Sequence, residues 1–321
     1  MGNSCGDSCG PGEQSSCNSA NAALAQQDIA ITRSLGKIKN KILVMSGKGG
    51  VGKSTVAVNL ALGLSSQGYK VGLMDVDLHG PDICRMLNLT GSLELPQEKN
   101  DLVPPLLYND KLKVVSLEYM MKDRDEAVIW RGPLKIQAIR QFVADMDWGE
   151  LDYLIIDAPP GTGDEPLSIA QTVKGVHAVV VTTPQAIALA DVRKSINFCK
   201  SVEMPIIGVV ENMSGYICPH CEQITNIFSS GGGEQTARDF DLPFLGRIPM
   251  DPRVVIAGDT GLPYLSSQEE TPATKAFGKI VDAVGQRMPA ITKINLETVA
   301  PLSATGCGCG PSGCDPNKCD C

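Results

Sequence analysis

A doubly wound, mainly parallel α/β sheet is the fold this sequence predicts, and three observations carry the prediction. A glycine-rich run, Gly47-Lys48-Gly49-Gly50-Val51-Gly52-Lys53-Ser54-Thr55, stands between a short apolar stretch and a segment with helical character. Short apolar or β-branched runs then alternate with longer segments whose apolar residues recur at helical spacing. With 321 residues and 43% hydrophobic content, the chain can fill one large core and still leave tails.

In chain order, Ile42 to Met45 reads as the strand before the glycine-rich run and Thr55 to Ser65 as the helix after it. Buried strands are expected at Lys70 to Asp75, Leu151 to Asp157, Ala178 to Thr182, Ile206 to Glu211 and Phe244 to Gly246. Leu134 to Ala144, Ile187 to Ser201, Gly233 to Phe240 and Thr274 to Arg287 have the length and apolar spacing of helices. The stretch Leu93 to Tyr119, with Pro96, Pro104 and Pro105, reads as a hairpin-like excursion. The expected organisation is a Cys-containing leader (1–35, with a short helix over Ala20 to Ser34), a nucleotide-binding domain (36–290) and a Cys-rich tail (291–321).

Composition narrows the function classes. A net charge of −8 without a basic block argues against nucleic acid as the main partner. No apolar run approaches the roughly 20 residues that span a bilayer, and the N-terminus lacks the regions of a secretory signal, so no membrane partner is expected and the cytoplasm is the default.

The glycine-rich run has the composition of a phosphate-binding loop. Its glycines let backbone N–H groups close around phosphates, Lys53 brings a positive charge to them, and the Ser54 hydroxyl suits Mg2+. Lys48 is a second loop lysine, which can lie along its own phosphates, reach those of a facing subunit, or stay solvated. Asp157 ends a strand run, where it can hold Mg2+ through water. Asp77 can orient an attacking water and Asp75 can enter the Mg2+ shell. Each of these aspartates can instead cap a helix or shape a turn, and His79 has no assigned role. No Asn-Lys-x-Asp guanine-reading run follows Asp157, which favours ATP over GTP, and Asn212 is a candidate adenine contact or cap.

Twelve cysteines form the second clue. Cys84 and Cys199 stand alone in expected helices and read as buried core residues. Cys5, Cys9 and Cys17 lie in the leader, and Cys307, Cys309, Cys314, Cys319 and Cys321 crowd the tail as a flexible soft-metal ligand set or as incidental thiols. Cys218-Pro219-His220-Cys221 sets two thiols at a spacing that binds one metal atom or cluster. Two sulfurs leave a four-thiolate site half made. The missing pair can come from a terminal tail or, the favoured source, from a second copy across a twofold axis, which would complete a [4Fe-4S] site, with structural zinc as the alternative. A redox C-x-x-C lacks its usual βαβ context.

Together these runs resemble the Mrp/ApbC family of iron-sulfur cluster carrier P-loop ATPases, which includes the cytosolic Fe-S scaffold proteins. The resemblance rests on Gly47 to Thr55, on Asp75-Val76-Asp77-Leu78-His79-Gly80-Pro81-Asp82, on Trp130-Arg131-Gly132-Pro133, on Asp157-Ala158-Pro159-Pro160-Gly161-Thr162-Gly163-Asp164, on Glu211-Asn212-Met213-Ser214 and on Cys218 to Cys221. It covers roughly residues 36 to 290 and implies a P-loop NTPase fold of the deviant, two-lysine Walker A type. It further implies a homodimer that assembles a labile [4Fe-4S] cluster on Cys218 and Cys221 and passes it to apo iron-sulfur proteins, coupled to slow ATP hydrolysis. By the same resemblance Lys48 is the signature lysine, Asp77 the switch carboxylate and Asp157 the Mg2+-linked one. The scaffold relatives carry four leader cysteines where this chain has three, in C-x3-C-x7-C spacing, and the tail cysteines match no family feature. The competing classes are a zinc-bridged nucleotide-binding adaptor, an ATP-dependent electron-transfer protein and a positioning ATPase. The last would need an amphipathic membrane-binding C-terminus or a basic DNA face.

Overall fold

Alternate residues of the first strand, β1 (Ile38–Ser46), face opposite layers of the core. Leu43 and Met45 join one buried apolar cluster, and Ile42 and Val44 the other. The computed structural model describes residues 24–77, 80–90, 102–116, 118, 132–218, 220–221, 223–267 and 270–290. The leader cysteines, the tail cysteines, His79, Trp130, Arg131 and Pro219 therefore lie outside the described residues.

A helix over residues 24–35 (α1) leads into β1. There follow α2 (Lys53–Ser66), β2 (Val71–Asp75), the short α3 (Ile83–Met86), β3 (Leu106–Asn109), β4 (Leu112–Ser116), α4 (Gly132–Asp145), β5 (Leu151–Asp157), α5 (Asp164–Thr172) and β6 (Val176–Thr182). The chain continues through α6 (Ala186–Ser201), β7 (Ile206–Glu211), β8 (Tyr216–Ile217), β9 (Ile224–Thr225), α7 (Gly232–Asp239), β10 (Phe244–Arg247), α8 (Pro252–Thr260), a 3-10 turn (Tyr264–Ser267) and α9 (Pro272–Arg287).

Eight strands form one sheet in the order β10-β7-β6-β1-β5-β2-β4-β3. Every pairing in it is parallel except the edge pair β3–β4. The excursion expected over Leu93 to Tyr119 supplies that antiparallel edge hairpin. Apolar residues from α1, α4, α5 and α6 cover one face, and α2 with α9 cover the other. Within α9, Ala273, Phe277, Ile280, Val281 and Val284 are buried at the spacing of a single helical stripe. Each large apolar side chain on that stripe contributes about 1.5–3 kcal/mol on burial.

β1 lies between β5 and β6, so the chain leaves it toward one half of the sheet and later passes back across it to build the other. In such sheets ligands bind in the crevice outside the carboxyl ends of the strands where the winding reverses. The glycine-rich run begins directly after β1, at that crevice.

Candidate functional site

The phosphate loop owes its shape to two close approaches. A Cβ on Gly47 would lie 2.3 Å from the carbonyl carbon of Asp191 in α6, so only glycine lets the loop pass beneath that helix. Gly52 caps α2 with φ 81°, in the left-handed region, and a Cβ there would meet the Asn212 amide nitrogen at 2.2 Å. That amide donates to the Val51 carbonyl at 2.8 Å, which ties the end of β7 to the loop.

The loop lines a cavity of about 530 Å3 together with Asp77, Gly80, Asp82, Met86, Pro159, Pro160 and Glu165. Lys48, Gly49, Gly50, Gly52, Lys53, Ser54 and Thr55 all contribute to its wall. Backbone N–H groups at the start of α2 give the cavity anion-binding character. Lys48 also lines a neighbouring cavity with Ile187 and Phe228, so it stands between two openings.

Lys53 is buried, and its ammonium donates to Asp157 Oδ1 at 2.7 Å and to Ser54 Oγ at 3.2 Å, with Asp77 Oδ2 3.6 Å away. Asp157 and Asp75 are register partners on adjacent strands, and both are 1% exposed. Burial pushes the Asp157 carboxyl above the ordinary range, Lys53 opposes that shift, and the neighbouring Asp77 charge adds to it. Burial, then repulsion from Asp157, raises Asp75 well above that range. Asp75 accepts from the Asp77 backbone N–H at 3.0 Å and from Ser116 Oγ at 3.2 Å, so both of its oxygens point at protein donors and it is absent from the cavity wall. The sequence-predicted residues Lys48, Lys53, Ser54, Asp77 and Asp157 thus come together, with Asp75 one layer beneath.

A second cavity, of about 460 Å3, opens beside Thr55, Asn212 and Met213 and is walled by Pro249, Met250, Asp251 and Pro252 and by Val254 to Ile256 of α8. Thr55 lines this cavity and the phosphate cavity alike, so the two openings adjoin there, beside Asn212. The far side of that wall lines a third cavity with Ile217, Cys218 and Ile224. One tetrapeptide, Pro249–Pro252, thus lines both the cavity beside Asn212 and the cavity beside Cys218.

β8 and β9 form a two-residue-per-strand hairpin with Cys218 and Cys221 in its connection. The Cys218 N–H donates to Gln223 O at 3.1 Å and closes the turn. Cys218 is half-buried and Cys221 exposed. Backbone N–H groups of His220 and Cys221, with the Cys221 thiol, hold the Cys218 thiol below its ordinary pKa, which favours the metal-binding thiolate. His220 faces solvent. Among the described residues no cluster of three or more Cys, His, Asp or Glu side chains is placed to hold a metal ion, so the pair has no further ligand of these types there. Cys84 and Cys199 are buried in α3 and α6, away from this hairpin in the chain.

Sequence reading left out α5, α8 and the β8–β9 hairpin. It named Glu211 only as a strand end and as part of a motif, and gave no role to its carboxylate, which is fully buried at the end of β7. The signal available for that residue was the Gly231-Gly232-Gly233 run, which frees backbone N–H groups to approach an acceptor.

The protein-family model described as "ParA: NUBPL iron-transfer P-loop NTPase" matches residues 37–285. An iron-sulfur cluster carrier protein of Methanocaldococcus jannaschii is 45% identical over 276 residues, 86% of this chain and 94% of the relative. The cytosolic Fe-S cluster assembly factor NUBP2 homolog of Trichoplax adhaerens is 49% identical over 253 residues, 78% of this chain and 95% of the relative. Among solved structures, a nucleotide-binding protein from Archaeoglobus fulgidus in complex with ADP superposes with a TM-score of 0.66 at 37% identity, covering 78% of this chain and 96% of its own. A loop built for phosphate at the head of a parallel sheet, and a family match that spans nearly all of that sheet, lead to one conclusion: this chain belongs to the NUBPL iron-transfer P-loop NTPase family.

Proposed function

We propose that the chain is an ATP-binding and slowly ATP-hydrolysing carrier that assembles a labile [4Fe-4S] cluster across a homodimer and transfers it to apo iron-sulfur proteins. The observation that carries the proposal is the incomplete thiolate pair. Cys218 and Cys221 supply two of four ligands on an exposed hairpin, on the other side of one wall from the nucleotide cavity. A second copy of the same hairpin completes the set, and an isologous interface needs nothing else. The names carried by the relatives point to the same cargo.

In this reading the loop N–H groups and Lys53 hold the β and γ phosphates, and Asn212 meets the adenine. Lys48 lies along the phosphates at the subunit boundary. The Ser54 hydroxyl and the Asp77 carboxylate line the cavity and are hard oxygen donors that fit Mg2+; Asp157, behind the wall on Lys53, would hold the ion through water, with Asp75 steadying them from beneath. Bound there, Mg2+ would neutralise charge on the transferring phosphoryl group. Asp77 orients the attacking water, while Lys53 exchanges its contact with Asp157 for the phosphate. The cluster is cargo, and nucleotide state shifts the hairpin between holding and releasing it. No helix among the described residues is long and apolar enough to cross a membrane.

Anaerobic reconstitution with iron and sulfide, read by Mössbauer spectroscopy, tests the reading. Wild type is expected to give one [4Fe-4S] signal per two chains, and the Cys218→Ser/Cys221→Ser double variant to lose it. Stoichiometric zinc with no cluster in wild type would replace the carrier with an adaptor. Lys53→Ala is expected to accept the cluster and to lose ATP dependence of transfer, because the thiols are intact and the phosphate contact is gone.

A further inference from the structure

The segment between Ser214 and Gly231 contains the whole thiol hairpin, and both of its ends are tied to one carboxylate. Glu211 Oε1 accepts from Ser214 Oγ at 2.5 Å and from the Gly231 N–H at 2.9 Å. Its Oε2 accepts from the Gly233 N–H at 2.5 Å. Arg247 Nε of β10 approaches Oε1 at 3.3 Å, and Ser230 Oγ pairs with Ser214 Oγ at 3.1 Å. The two glycine donors belong to the N-terminus of α7, where an anion is favoured by the helix dipole.

The same residue is joined to the nucleotide side. Glu211 O accepts from the Ile248 N–H at 2.9 Å, directly before the Pro249–Pro252 wall. Ser214 N–H donates to Ile248 O, and Met250 N–H to Gly215 O, so the base of the hairpin is laced to that wall. The next residue, Asn212, holds the Val51 carbonyl of the phosphate loop. A fully buried carboxylate therefore sits where three things meet: the loop contact, the wall and both ends of the hairpin. The phosphate cavity, the cavity beside Asn212 and the one that Cys218 lines all omit Glu211, so it stands behind these sites rather than in them.

From this junction we infer that Glu211 is the positioning residue that couples the nucleotide loop to the thiol hairpin. The inference rests on the carrier reading for the nature of the cargo, though not for the coupling itself. A shift of the Val51–Asn212 contact moves the end of β7, and Glu211 carries that movement to Ser214, Gly231 and Gly233 at once. With the carboxylate in place the hairpin moves as a unit; without it each end is held separately.

Coupling is reciprocal, so loading the thiols must change nucleotide affinity by the factor by which nucleotide changes cargo affinity. Fluorescent ADP titrated into loaded and unloaded full-length protein reads that factor. In wild type the two dissociation constants are expected to differ about fivefold or more. Glu211→Gln keeps the shape but sets an amide NH2 against one of the donors. It is expected to bring the ratio below about twofold while the unloaded affinity changes little. A second readout needs no cargo. Hydrogen exchange at the amides of Cys218, Ile227 and Met250 is expected to respond to ADP in wild type and to ignore it in Glu211→Gln.

An unchanged affinity ratio, or an unchanged exchange response, in Glu211→Gln overturns the inference, as does a wild-type hairpin that does not respond to ADP. Wild type that never loads a cluster overturns the carrier reading alone, and the exchange experiment then decides the coupling. Should Glu211→Gln fail to fold, Ser214→Ala removes a single tie and is expected to weaken both responses in part; full responses there would count against Glu211 equally.

Discussion

At the scale of single residues the nucleotide site is a set of charges held together before any ligand arrives. Lys53 is the cation that compensates Asp157, and in the proposed mechanism a phosphate competes for it. Asp75 lies deeper, with its carboxyl raised by burial and by Asp157. A group whose folded-state pKa is raised binds its proton more tightly folded than unfolded. Its contribution to stability is therefore greatest at low pH and is lost as pH rises through the folded value. Asp75→Asn removes that loss. The amide oxygen still accepts from the Asp77 N–H, and the hydroxyl of Ser116 can turn to accept from the new NH2. Without nucleotide or Mg2+, the variant is expected to melt about 2–4 °C higher than wild type at pH 7.5. The two should converge toward pH 4, and differential scanning fluorimetry across that range checks it. A lower melting point at pH 7.5 would mean that Asp75 serves the empty fold as a paired anion.

Among the elements, α2 and α9 pack closely where they cross. A Cβ on Gly63 of α2 would lie 2.4 Å from Val281 Cγ2. Alanine in a helix ordinarily gains about 1 kcal/mol over glycine. Here overpacking costs about 1–3 kcal/mol and reverses the sign. Gly63→Ala is expected to lower the urea midpoint, and Gly63→Ala/Val281→Ala to recover most of it; a stabilised single variant would show that the helices part freely. Much at this scale was legible in sequence. Leu151–Asp157 and Ile206–Glu211 are strands over the residues their apolar runs marked, because interior parallel strands are buried on both faces and need no alternation. Within the excursion after α3, Pro104 and Pro105 stand directly before β3, the edge strand, where a missing N–H is tolerated. α8 was hidden because it buries no residue completely, so its apolar residues, Val255 and Ile256 among them, mark no buried stripe. The phosphate site was readable because consecutive residues build it. The Glu211 junction was not, since its donors come from residues that only the fold brings to one carboxylate.

For the whole molecule, the proposed shared cluster would make the chain half of a site. If two copies share one cluster, mixing equal amounts of wild type with the Cys218→Ser/Cys221→Ser variant before reconstitution should leave about one quarter of the wild-type cluster. Independent chains would leave about one half, so iron analysis separates the two. Sheet order has a further consequence, for synthesis. β1 carries the phosphate loop at its end, yet its two neighbours, β5 and β6, begin at Leu151 and Val176. At a translation rate of about 5–20 residues per second, β1 waits on the order of ten seconds for both partners. Until β6 emerges, the central strand is an open edge rich in Ile, Leu and Val, and the nucleotide cannot stabilise a loop whose supporting helix α6 has not been made. The nascent chain is therefore expected to meet its greatest aggregation hazard before β6 is complete at Thr182, and a bound nucleotide could help only once α6 has followed to Ser201.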